Sequence, residues 1–294
     1  MSEELLGKIR QITVCGVGLI GGSLGLALRK AGFTGRLVGY GRPATIEKAQ
    51  RRGAIDCGFS NLAEAVADAD VVYLSTPILT ILELLGKLPA LVKEEALITD
   101  AGSTKAVICE RGAKLFPSRP WFVGGHPMAG KETTGIDSAD ADLFKGARYA
   151  LTPHSRHHLD PPVARSFMAW LDRIGARVLV LDAELHDEIV TWTSHLPQLV
   201  STALAVAVMD NVKLPEDLEL SGGGLRDASR LADSAYNVWR DICFTNAENL
   251  EQALTAFTQA LEHLRDNLRS RELEQIFERA NELRRRLKSP VLVK

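Results

Sequence analysis

His126 stands in FVGGHPMAG, residues 122–130, with two glycines before it, a proline after it and an apolar run, Trp121-Phe122-Val123, leading in. An imidazole there is either a chemical group held at a strand end or a polar residue in a Gly/Pro turn. A second stretch, ITDAGSTK, places Asp100 at a strand end and Ser103, Thr104 and Lys105 at a helix start. Ligands of open α/β sheets lie at the carboxyl ends of the strands. If the two strands are neighbours, Ser103 and His126 meet there. A serine bonded to one ring nitrogen fixes the tautomer and leaves the other nitrogen free to take a proton. Ser103 reads equally well as a helix N-cap.

The chain start carries a binding motif. In ITVCGVGLIGGSLGLALRKAG an apolar strand runs into Gly16-Val17-Gly18-Leu19-Ile20-Gly21 and then into a helix. Gly16 permits the tight turn, Gly18 lets the backbone approach a pyrophosphate, and Gly21 lets helix and strand pack closely. The helix N-terminus offers free N–H groups to the phosphates. A dinucleotide is therefore expected on Gly16, Gly18, Leu19, Ile20 and Gly21, with Ser75 and Thr76 at the end of the 71–75 strand. NAD sites usually place an acid about 20 residues on, at the end of the second strand. Here Gly41 stands in that place and Arg42 follows. A guanidinium pairs with a 2′-phosphate, which favours NADP over NAD. Arg42 stacked on adenine would fit either cofactor.

Those groups need a scaffold. Short apolar runs at 12–16, 36–40, 71–75, 97–101, 121–125, 149–153 and 177–181 read as buried strands, with amphipathic segments between most of them. Alternating strands and helices imply right-handed crossovers and a largely parallel sheet. After Asp182 the strand signals stop, and 184–287 reads as helix with breaks near Lys213–Pro215, at 221–224 and near Ser270-Arg271. The expected fold is a Rossmann-like doubly wound α/β domain over 1–182 followed by an all-α domain over 183–294. Leu250, Leu254, Phe257, Leu261, Leu264 and Leu268, then Ile276, Ala280, Leu283 and Leu287, form a narrow apolar seam of near-heptad period. Packing within the domain accounts for that seam about as well as dimerisation does. A homodimer through the helical domain is expected, because so much apolar helix surface has few partners of its own.

Bulk properties narrow the function. A formal net charge of −2 offers no basicity that would draw nucleic acid or anionic membrane. Cys15, Cys57, Cys109 and Cys243 are far apart, without metal-ligand spacing, as in a reduced cytoplasmic protein. No run approaches the roughly 20 apolar residues that span a bilayer. STALAVAVMD reads as a buried helix.

Taken in order, GVGLIGGSLGLAL, DAGSTK, GGHPMAGKETTG, TSHLPQ (193–198) and GGGLRDASRLA (222–232) resemble the prephenate/arogenate dehydrogenases of tyrosine biosynthesis, from about residue 10 to 287. The resemblance implies a Rossmann domain followed by a helical dimerisation domain. It implies oxidative decarboxylation of a cyclohexadiene with NAD or NADP. His126 then matches the histidine that takes the proton of the ring hydroxyl, and Ser103 the serine that orients it near the nicotinamide. His195 matches a histidine of the substrate pocket, and Arg226 the arginine that grips a substrate carboxylate. Read without the resemblance, His195 before Pro197 fits a helix cap, and Arg226 could pair with Asp227 or Asp241. Lys131, counted with the substrate residues, follows GGHPMAG where other members often carry Thr. Gln198 stands where some members have a second His, a change bearing on prephenate against arogenate. No regulatory ACT-like domain is expected after 287 and no chorismate mutase segment before residue 9, so tyrosine feedback is expected only at the active site. Two other readings compete. A β-hydroxyacid dehydrogenase would need a catalytic Lys in the helical half, where Lys213 falls in a loop. An NADP-binding sensor would turn nothing over.

Overall fold

The computed structural model describes residues 3–131 and 133–288. Eight strands form one sheet: β1 (Gln11–Cys15), β2 (Arg36–Tyr40), β3 (Cys57–Phe59), β4 (Val71–Leu74), β5 (Leu97–Asp100), β6 (Trp121–Pro127), β7 (Arg148–Pro153) and β8 (Arg177–Val180). Their order is β3-β2-β1-β4-β5-β6-β7-β8, and every neighbouring pair is parallel except β6 with β7. The doubly wound, largely parallel architecture expected from the sequence is the one observed. From β1 the chain winds outward to β3, then returns past β1 to β4. That reversal opens a crevice at the carboxyl ends of β1 and β4. β3 has no counterpart among the expected strands, because three residues with a glycine at the centre carry no alternation.

Side chains from both faces of the sheet make the core. Ile12, Val14, Leu24, Tyr73 and Phe167 pack on one face. Val72, Leu74, Ile81, Ile98 and Phe122 pack on the other. These strands are buried on both sides, which is why they read as near-continuous apolar runs. β8 is the exception: as an edge strand it leaves Leu179 and Val180 exposed.

No strand follows β8 among the described residues. Helices cover Ala183–Val190, Leu196–Asn211, Gly223–Ser229, Tyr236–Thr245, Ala247–Asp266 and Glu272–Lys288, with a wide π-type turn at Thr191–His195. Three ties hold the Ala183–Val190 and Tyr236–Thr245 helices to the sheet domain. Asp187 receives hydrogen bonds from the backbone of Lys105 and Ala106, Thr104 bonds Thr245, and Asp241 accepts from Leu79 N. One compact unit reaches to Ala247 and a second begins at Glu248. Within the second, Leu254, Leu261, Leu268, Phe277, Leu283 and Leu287 are exposed. Among the described residues no helix is long and apolar enough to cross a membrane.

Candidate active site

The turn after β1 is built around its glycines. Gly16 has φ +96°, in the left-handed region, and a Cβ there would lie 2.7 Å from Thr76 Cγ2 and 2.8 Å from the Ser75 carbonyl. A Cβ on Gly21 would come within 2.4 Å of Ser75 Oγ and 2.5 Å of the Gly16 carbonyl. Ser75 Oγ donates to the Gly16 carbonyl at 2.9 Å and so fastens the end of β4 to the turn. Ser75 thus shapes the cradle.

The Leu19–Lys30 helix starts at Gly18 with no side-chain cap. Its first N–H groups, from Leu19 onward, have no partner within the helix. A Cβ on Gly18 would meet nothing within 4 Å, so the backbone there is open to a ligand. Beside the turn, the Thr76 hydroxyl is buried with no hydrogen-bond partner. Free N–H groups, an open glycine and an orphaned hydroxyl suit the pyrophosphate of a dinucleotide. Arg42, at the end of β2, is exposed, as a residue facing an adenosine ribose would be.

His126 is the last residue but one of β6, beyond the part of that strand paired with β5 and opposite Ala150 of β7. Its Nδ1 lies 2.9 Å from Nε2 of His186, whose own Nδ1 lies 2.8 Å from Asp187 Oδ1. The carboxylate only accepts, so His186 carries a proton on Nδ1, and a neutral His186 then accepts on Nε2. His126 must then donate from Nδ1, and its Nε2 keeps the lone pair. His126 as a residue is half-buried. Burial holds the His126 imidazole well below the usual histidine range, reinforced by His186, Lys105 and His195. It is neutral at pH 7 and competent as a base.

Ser103 does not occupy the place expected for it. It is half-buried, and no hydrogen bond joins it to His126; His186 holds that nitrogen instead. Nor does it cap a helix. The helix begins at Ala106, and its free N–H groups are taken by the Asp187 carboxylate. An anion at the positive end of a helix is favourable, and here the helical segment supplies it.

His195 closes the Thr191–His195 turn and is almost wholly buried, edge-on to Trp239 at 5.8 Å. Turns of this wide kind often mark functional sites. Asn246 Nδ2 donates to Thr191 Oγ1 at 2.7 Å and meets His195 Nδ1 at 3.2 Å. Nδ1 therefore accepts, and Nε2 carries the proton as a donor. No capping hydrogen bond is made by the ring. Gln198 is used up internally: Nε2 donates to the Leu231 carbonyl at 2.6 Å and Oε1 accepts from Ser234. Its amide fastens two helical segments together, so its identity bears on pocket shape rather than on direct contact.

Arg226 is exposed on the Gly223–Ser229 helix and forms no ion pair among the described residues. Asp241 is bound by Arg240 instead. Lys131 is committed elsewhere: Asp140 takes its ammonium at 2.9 Å, with the Ser138 carbonyl at 3.3 Å. A substrate carboxylate would have to displace Asp140 to reach it.

Of these groups, His186, Asp187 and Asn246 were not singled out from the sequence. The one signal for His186 and Asp187 is an adjacent His-Asp pair on an amphipathic helix, which ordinarily reads as surface; Asn246, after the Tyr236–Thr245 helix, carries none.

Burial also lowers His195, to about 4, with Asp187 opposing the shift and His186 adding to it. In the unfolded chain a histidine titrates near 6.5. Because the folded value is depressed, the unfolded chain binds the proton first. The stability contributed by neutral His195 is complete above about pH 6.5 and is lost as pH falls towards 4. The loss amounts to about 3 kcal/mol when complete. Denaturant unfolding at pH 7 and pH 4.5 should show this fall, and His195→Gln should flatten it. An equal fall in both proteins would assign the acid sensitivity to other groups.

Comparison with known proteins agrees over both halves of the chain. The family model for the prephenate dehydrogenase nucleotide-binding domain matches residues 24–180, and that for the prephenate dehydrogenase dimerization domain matches 182–282. The prephenate dehydrogenase of Lactococcus lactis subsp. cremoris is 32% identical over 282 residues, 94% of this chain and 77% of that protein. The structure of the A. aeolicus prephenate dehydrogenase with hydroxyphenyl propionate and NAD+ matches at TM-score 0.83 and 32% identity, over 94% of this chain and 96% of that one. The Synechocystis arogenate dehydrogenase matches at TM-score 0.78 and 33% identity, over 94% and 99%.

Proposed function

This chain belongs to the prephenate dehydrogenase family, and from that premise we propose how its residues divide the NAD(P)-linked oxidative decarboxylation of prephenate or arogenate in tyrosine biosynthesis. The observation that carries the assignment is the free Nε2 of His126, left open because His186 engages Nδ1. The nicotinamide, when bound, supplies the acceptor for the hydride leaving the hydroxyl-bearing ring carbon. His126 takes the hydroxyl proton on Nε2 as that bond breaks. Carbon dioxide leaves from the opposite ring carbon and the ring aromatises. The product is a phenol, so His126 returns the proton to the phenolate oxygen, and no proton is lost overall.

Aromatisation drives the step, so the protein need only orient the substrate, keep the base neutral and anchor the negative charge. Arg226 is the anchor for a substrate carboxylate, and a bidentate guanidinium suits it. His195 presents its Nε2–H to the substrate. Ser103 lies near the nicotinamide, and Lys131 contributes at the pocket rim. Gly16, Gly18, Leu19, Ile20, Gly21, Ser75 and Thr76 hold the pyrophosphate. Arg42 in place of an acid favours NADP over NAD. Residues 1–182 serve as the dinucleotide-binding domain and 183–294 as the substrate domain. The exposed leucines beyond Glu248 pair two copies into a homodimer. The enzyme works in the cytoplasm.

The test is absorbance at the reduced-nicotinamide band, with prephenate and arogenate each crossed with NAD and NADP. We expect turnover with at least one substrate, and a higher kcat/KM with NADP that Arg42→Ala reduces. Silence in all four mixtures, with cofactor binding intact, would sink the dehydrogenase assignment.

A further inference from the structure

We propose that His186 and Asp187 form a positioning relay that fixes the tautomer of His126 and holds its proton while the ring aromatises. The inference rests on the dehydrogenase reading above. Four hydrogen-bond contacts carry it. His126 Nδ1 meets His186 Nε2 at 2.9 Å, and His186 Nδ1 meets Asp187 Oδ1 at 2.8 Å. Asp187 is itself held by Lys105 N at 2.7 Å and Ala106 N at 2.9 Å, at the start of the Ala106–Leu115 helix. His186 and Asp187 are buried, so water cannot replace either partner.

The protons balance along this row. The substrate hydroxyl gives its proton to His126 Nε2. His126 then passes its Nδ1 proton to His186 Nε2. His186 now carries two protons next to the Asp187 carboxylate. A charge left on His126 would sit near Lys105 and His195 with no anion bonded to it, whereas on His186 it is paired. After carbon dioxide leaves, the same steps run backwards and the phenolate oxygen regains a proton. His186 touches His126 and not the substrate, so it acts through His126.

Two substitutions separate fixing the tautomer from holding the proton. In His186→Gln the amide oxygen still accepts from His126 Nδ1–H, but the amide takes up no proton. In His186→Leu both functions are gone. We expect His186→Gln to lose roughly 10-fold in kcat and His186→Leu roughly 100-fold or more, with KM for both substrates within about threefold of the native enzyme. Nitrogen NMR of the imidazoles gives a readout that does not need turnover, with His126 assigned by its loss in His126→Asn. His126 should carry its proton on Nδ1 in the native protein and in His186→Gln, and on a mixture of nitrogens in His186→Leu. If His186→Leu fails to fold, His186→Gln and the native spectrum decide. A native His126 protonated on Nε2, or a kcat for His186→Gln equal to that of the native enzyme, would overturn the relay. A native spectrum with Nδ1 protonated but no turnover of prephenate or arogenate would instead remove the dehydrogenase reading while supporting the tautomer assignment.

Discussion

His126→Asn is expected to lower kcat by roughly 10³-fold or more, while cofactor binding and the fold stay intact. General-base catalysis contributes about 10²–10⁴-fold, and nothing beside His126 is placed to substitute. Asparagine is the informative replacement because its amide can still meet His186 where Nδ1 did, so the surrounding contacts survive. Only Nε2 is lost. Dissociation constants for NAD and NADP should not move, since the cradle after β1 does not touch this ring. At about 1.4 kcal/mol per decade, the change corresponds to roughly 4 kcal/mol of transition-state stabilisation. The pH profile gives a second check. Burial and the neighbouring His186, Lys105 and His195 hold His126 well below the ordinary histidine range. The base form therefore persists as pH falls, and kcat/KM should stay level through about pH 6 before its acid limb appears. An acid limb centred near 6.5 would mean that the essential base is an ordinary, solvated group.

Much of this site is legible in the sequence because its parts are local. A glycine turn between strand and helix is a contiguous pattern, and each glycine answers to a contact that a Cβ would break. His126 is legible for a similar reason, since the apolar run before it opens a strand paired with β5, and the histidine falls near that strand's end. What escapes a linear reading depends on partners far along the chain. His186 lies 60 residues from His126, in a segment whose pattern is that of any amphipathic helix. Ser103 illustrates the converse. Its position in AGSTK suits an N-cap, but a carboxylate from the helical segment had already taken the helix N-terminus, which no local spacing reveals. Gln198 likewise reads as a pocket residue until its amide is seen bound to Leu231 and Ser234.

Lys105→Met is the substitution with the largest expected effect on stability. The Lys105 side chain and its partner Asp100 are both 0% exposed. The ammonium bonds Asp100 and donates to the Gly125 carbonyl at 2.7 Å. Asp100 in turn accepts from Gly125 N at 3.0 Å and Gly102 N at 2.8 Å. The pair therefore clamps the end of β5 to the residue just before His126. A Cβ on Gly125 would come within 2.5 Å of the Asp100 carbonyl, so the two strands are as close there as a glycine allows. Methionine fills much of the lysine volume but leaves a buried carboxylate without a cation. Breaking a buried pair in this way costs about 3–5 kcal/mol, and the midpoint of thermal unfolding should fall by roughly 10 °C. Adding Asp100→Asn should return part of the loss, because the amide needs no counter-charge and its single oxygen still accepts from one of the two N–H groups, Gly102 N or Gly125 N, which now bond separate oxygens of the carboxylate. The double variant should thus be more stable than Lys105→Met alone, a coupling that chemical denaturation of the four proteins measures directly. A single variant within about 1 kcal/mol of the native protein would show that the charge pair is dispensable. The position of His126 would then rest on the strand ladder and on the contact from His186.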